Sequence, residues 1–106
     1  MIYYPDRWLI VKLETDYPHY RVFATWSGGY LTGEHWKLSS GIKSISIKDD
    51  NYIFHNASGS QYHCNKNYYG TSLYGENVLA DIKKSIKKTG GSIKILTEKE
   101  ASFLIL

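Results

Sequence analysis

The sequence predicts an α+β fold: an antiparallel β-sheet of about six to seven short strands, packed by one amphipathic helix near residues 72–89 and a short C-terminal helix. Between residues 8 and 64, short runs rich in Val, Ile, Tyr and Trp alternate with turn-forming clusters of Asp, Asn, Ser and Gly. After Gly70 the apolar repeat lengthens from two residues to about four. The 106 residues, 12.2 kDa in all, hold neither a linker nor an internal repeat, so 1–106 reads as a single domain.

Trp8–Leu13 is the first strand, bounded by Pro5 and by the Asp16-Tyr17-Pro18 turn. Tyr20–Trp26 follows with period two: Tyr20, Val22, Ala24 and Trp26 share one face, and Arg21, Phe23 and Thr25 the other. The short connection makes the two an antiparallel hairpin. Trp36–Ser39 is the third strand. Ile42–Lys48 is the fourth, with Ile45 and Ile47 expected to point inward. The Asp49-Asp50-Asn51 turn leads to Tyr52–His55, and Asn56–Ser60 to Gln61–Cys64, so that residues 36–64 read as one meander. Tyr74, Val78 and Ile82, with Leu79 and Ile86 alongside, form the apolar stripe of the main helix. Ser72 is its expected cap and Gly90-Gly91 its stop. Ser92–Leu96 is the last strand, and Thr97–Glu100 fits a capping box for the terminal helix. One sheet packed by one helix is the simplest arrangement of these elements. The apolar tail from Ala101 is expected to dock on the domain or to serve an oligomer interface.

Charge is mildly basic, 13 Lys plus Arg against 10 Asp plus Glu, net +3 with pI near 8.9. Only Arg7 and Arg21 are arginine, which weakens a base-reading role because bidentate recognition favours the guanidinium. The single cysteine excludes an intramolecular disulfide. With no signal-like start and no long apolar stretch, a cytoplasmic protein making no membrane contact is expected. Ten Tyr and three Trp against three Phe give most aromatic rings a polar handle, as suits half-buried sheets and interfaces.

The residues expected to bind are grouped around a glycine-containing loop. Between strands lie Gly28, Gly29 and Gly33, flanked by Trp26, Tyr30, His35 and Trp36, with Arg21 and Lys37 near in sequence. Aromatic rings beside cations can stack on a base or anchor a protein partner. Arg21, Trp26, Gly28, Gly29, Tyr30, Trp36 and Lys37 are therefore the expected ligand- or partner-binding set. The Gly28-Gly29 pattern lacks the Lys-Ser ending of a phosphate loop, and Ser27 does not sit on a strand-to-helix elbow. His63 and Cys64 are adjacent on a strand and point to opposite faces, while His19, His35 and His55 have no paired spacing. No metal, cofactor or catalytic residue is expected. Lys83, Lys84, Lys87 and Lys88 sit in the last turns of the main helix, where cations complement its dipole.

The stretch from Tyr20 to Gly33 continuing through Trp36–Ile42, together with Ser58–Lys66 and Tyr69-Gly70, resembles short uncharacterised accessory proteins of tailed bacteriophages over about residues 7–70. That resemblance implies a protein made in a bacterial host cell and favours a counter-defence or host-takeover role. The leading expectation is a non-enzymatic binding protein whose partner is a host protein or a nucleotide-type ligand. The alternatives are a basic RNA- or single-stranded-DNA-binding module and a small enzyme using Cys64 or a histidine. The apolar tail and open sheet edges are compatible with a homodimer.

Overall fold

In the computed structural model, which describes residues 1–28 and 33–105, the elements run β1 (Ile2–Tyr3), β2 (Arg7–Glu14), β3 (His19–Trp26), β4 (His35–Leu38), β5 (Ile42–Lys48), β6 (Asn51–Asn56), β7 (Gln61–Asn65), α1 (Leu73–Lys88), β8 (Ser92–Ile95) and α2 (Glu98–Ile105). The α+β class holds, with both helices where the sequence puts them. The strands, however, form two four-stranded sheets, ordered β1-β7-β6-β5 and β4-β3-β2-β8, rather than one.

The reason lies in β2. Its run Trp8-Leu9-Ile10-Val11 is buried on both faces. Trp8 and Ile10 join Val22, Ala24, Phe54, Tyr62 and Cys64 in a core between the sheets. Leu9, Val11 and Leu13 join Phe23 and Ile93 beneath Leu79 of α1. A strand apolar on both sides needs a layer on each, so the order is sheet, sheet, helix. Val78, Leu79, Ile82 and Ile86 of the α1 stripe cover the outer core as expected, whereas Tyr74, expected with them, is half-buried outside that cluster. Ala101, Leu104 and Ile105 of α2 pack against the inner core, so that side of the apolar tail docks on the domain, while Phe103 stays 70% exposed and Leu106 lies outside the described residues.

The meander is shorter than expected. β5, β6 and β7 are consecutive antiparallel neighbours, but β4 pairs with β3 in the other sheet. The chain changes sheets at Ser39-Ser40-Gly41, and that crossing is fastened on both sides. The buried Ser39 hydroxyl accepts the Val22 N–H at 2.8 Å and donates to Ser40 O at 2.7 Å. The Ser40 hydroxyl accepts the Ser58 N–H at 3.0 Å. β1 was not anticipated; two residues long, it pairs parallel to β7 through Ile2 and Tyr3. Ile45 is half-buried, but Ile47 is 57% exposed because β5 is an outer strand running past its cover.

Both helix starts follow the sequence signals. The Ser72 hydroxyl accepts the Gly75 N–H at 3.3 Å at the head of α1. At α2, Glu100 N–H donates to the Thr97 hydroxyl at 3.2 Å while the Glu100 carboxylate accepts the Thr97 N–H at 3.0 Å, a reciprocal capping box. The other Glu100 oxygen takes the Lys94 ammonium at 2.6 Å. Hydrogen bonds from Lys94 and from the Thr97 backbone hold the Glu100 carboxyl below its ordinary 4.5. A depressed folded-state value means that its contribution is complete above 4.5 and is lost as pH falls through the lower value. Protection factors of the backbone amides in the first turn of α2, relative to intrinsic exchange, should therefore fall on acidification below 4.5, and in Glu100→Gln that fall should be absent. Identical profiles for the two proteins would remove the carboxylate from the cap.

Candidate functional site

The two stems of the glycine loop are held by carboxylates. Asp6, just before β2, accepts both the N–H and the hydroxyl of Ser27 at 2.9 and 3.0 Å. Glu34 accepts the hydroxyl of Ser72 at 2.8 Å, tying the returning stem to the cap of α1. Gly28 has φ +66, and a Cβ built there would run into the carbonyl of Gly33, so the stems approach where only glycine fits. Gly29 and Tyr30 of the expected site lie outside the described residues.

The β3–β4 register sorts the remaining members onto two faces. Trp26 pairs with His35 and Ala24 with Lys37, so Trp26, His35 and Lys37 share the face turned toward β1. The rings of Trp26 and His35 stack with centroids 4.9 Å apart and planes within 5°. Tyr3 meets Trp26 edge-on at 6.3 Å and Tyr62 at 4.8 Å, and the Lys37 ammonium lies 5.2 Å from the Tyr3 ring. The Trp26 indole N–H donates to Tyr4 O at 2.9 Å, which fixes the ring. Burial, together with Tyr3 and Cys64 nearby, pushes the Tyr62 phenol up to about 12, so it stays a neutral donor.

Trp36 pairs with Thr25 and lies on the opposite face, stacked on Phe23 at 5.9 Å and 39% exposed. On that side a cleft of about 400 Å³ opens between the loop stems and α1, lined by Asp6, Arg7, Thr25, Glu34, Tyr68 and Ser72. Arg21 belongs to neither place. It sits five residues back along β3, roughly 17 Å from Trp26, on the other face. There its Nε donates to His19 at 2.9 Å. Of the expected site the fold thus unites Trp26, Gly28 and Lys37, adds Tyr3, His35 and Tyr62, and separates Trp36 and Arg21. Tyr3 is the member that sequence spacing misses, because only the parallel β1–β7 pairing brings it in.

Cys64 is fully buried between the sheets, and burial pushes its thiol up, the reverse of an activated nucleophile. His63 contacts Gln61 at 3.1 Å and Tyr4 at 5.0 Å, and His55 contacts Ser46 at 2.9 Å. Burial first, then His55 and Lys48, lowers the His63 value and keeps the ring neutral at pH 7. Among the described residues, no group of three or more His, Cys, Asp or Glu side chains could hold a metal ion. Lys83, Lys84, Lys87 and Lys88 are exposed on the far side of α1, separated by sheet β4-β3-β2-β8 from the ring cluster. No helix among the described residues is long and apolar enough to cross a membrane. Comparisons with protein-family models, with curated proteins and with solved structures returned no match.

Proposed function

We propose that this is a non-catalytic binding protein that grips a protein partner through the surface formed by Tyr3, Trp26, His35 and Lys37. One observation carries the reading: the half-buried, hydrogen-bonded rings of Tyr3 and Trp26 are capped by the exposed His35 ring and Lys37 ammonium, beside a loop root that admits only glycine. Trp, Tyr and cationic residues are the usual anchors of protein interfaces, and rings already fixed lose little freedom on binding. The exposed His35 ring covers one face of the indole, and the 400 Å³ cleft nearby is polar and lined by other residues. Both features favour a protein surface over an enclosed nucleotide.

The resemblance of the sequence to short bacteriophage proteins favours a partner in a bacterial host, and blocking a host protein is the role this reading gives the molecule. A combined nucleic-acid platform is less well supported, since the lysines of α1 and the aromatic rings lie on different faces. An enzyme built on Cys64 is disfavoured by that thiol's burial.

His35 and Lys37 are exposed, so changing them leaves the core untouched. The double variant His35→Ala, Lys37→Glu should lower capture of the partner from bacterial lysate by about tenfold or more, read by quantitative mass spectrometry. Trp36→Ala, on the opposite face, should leave capture unchanged. If the double variant captures as the parent does, or Trp36→Ala alone abolishes capture, the partner docks elsewhere.

A further inference from the structure

We propose that two copies of this protein pair antiparallel through β5, about a two-fold axis at Ser46, to make one continuous eight-stranded sheet. This inference is independent of the partner-binding surface above.

β5 is the long open edge of its sheet, seven residues with Lys43, Ser44 and Ser46–Lys48 all exposed. Its free backbone groups can be assigned. The two-residue loop Asp49-Asp50 makes Lys48 and Asn51 the hydrogen-bonded pair that closes the hairpin. In agreement, Asp50 O and Asn56 N–H turn the other way, to Lys66 and Ser60. Ser46 and Lys48 therefore face β6, whereas the N–H and C=O groups of Ile45 and Ile47 point outward, with no strand among the described residues to receive them.

The sequence of β5 selects a register. With Ser46 opposite Ser46 of the second copy, Ile45 meets Ile47 twice, and both pairs are of the hydrogen-bonded kind. The same step covers the exposed Ile47 side chain. Beside Ile45 lies a cleft of about 320 Å³, lined by Tyr20, Ile42, Lys43, Leu104 and Ile105, into which Ile47 of the second copy would project. This register also brings Lys43, at the irregularity between Ile42 and Ser44, to the end of the second copy's β5, where the turn residue Asp49 supplies a carboxylate. Shifting the axis to Ile47 would set Asp49 against Ile45, and shifting it to Ile45 would set Lys43 against Ile47. Edge lysines ordinarily discourage strand association; here they reject the wrong registers and leave one in which each Lys43 finds a carboxylate.

Sedimentation velocity of the whole chain from about 1 to about 500 µM should show the mass rising from 12.2 kDa to twice that value. Ile47→Pro removes an outward N–H while sparing the β5–β6 ladder, so its monomer should fold, by circular dichroism, and associate at least about tenfold more weakly. Lys43→Glu should weaken association similarly. The amides of Ile45 and Ile47 should gain exchange protection as concentration rises. A monomer across the whole range, or a dimer indifferent to Ile47→Pro or to Lys43→Glu, would overturn this pairing.

Discussion

Trp8→Ala should cost about 3–5 kcal/mol, the range for emptying a fully packed aromatic site, and leave a protein near the edge of folding. Trp8 belongs to β2, yet its indole N–H donates to Asn65 O at the end of β7, in the other sheet, at 2.7 Å. Its ring meets Tyr69 edge-on at 4.8 Å and packs on Phe54 and Tyr52 at 5.3 and 5.9 Å. Removing it opens the space between the sheets and leaves the Asn65 carbonyl without its donor. Tyr69 is implicated too, because its hydroxyl accepts the Ile10 N–H at 3.2 Å and donates to Leu96 O at 2.6 Å, holding β2 and the end of β8 together. Trp8→Phe keeps most of the volume and loses the hydrogen bond, so a smaller loss of about 1–3 kcal/mol is expected. Urea denaturation read by circular dichroism measures both. An alanine variant within about 1 kcal/mol of the parent would mean that the inter-sheet core does not depend on this ring.

Gly28→Ala should be the most damaging change at the candidate site, and Gly33→Ala is its control. Both glycines hold nearly the same left-handed conformation, φ +66 and +67. A Cβ on Gly33 meets nothing within 4 Å, so only the backbone penalty of about 1 kcal/mol applies there. A Cβ on Gly28 collides with the main-chain carbonyl of Gly33, which cannot rotate away as a side chain could. About 2–4 kcal/mol is expected for Gly28→Ala, with the Trp26–His35 stack disturbed as the stems separate. Thermal unfolding compares the stabilities, and chemical shifts of the His35 ring report the stack. Equal effects from the two substitutions would show that the close approach of the stems is unimportant.

Local patterns carried most of the fold. The β2–β3 hairpin, the Ser72 cap, the stripe of α1 and the Thr97–Glu100 box each rest on residues close in sequence, and each forms as read. What stayed hidden depends on pairing at a distance. The division into two sheets was foreshadowed by the unbroken apolar run Trp8–Val11, which no single-faced strand requires, but its meaning emerges only with a layer on each side. β1 is too short for any periodicity, so neither it nor the role of Tyr3 in the ring cluster was legible. Nearness in sequence also grouped Arg21 and Trp36 with Trp26. Along a strand that proximity misleads, because alternate residues part to opposite faces and five residues span most of an edge.

The position of β2 also bears on how the chain reaches this state. β2 lies near the start of the chain, whereas β8, its neighbour on the side away from β3, lies near the end, and neither core closes without β2. The hairpin with β3 can form early from local contacts, but the strand gains its second flank only after the intervening meander and α1 are in place. Loop closure over so much chain precedes its reward, so folding should be slow for a domain of this size and strongly cooperative. Partial structures would expose Trp8–Val11, the unbroken apolar run of β2, and the same segment that unites the finished domain would be its main hazard for aggregation while folding.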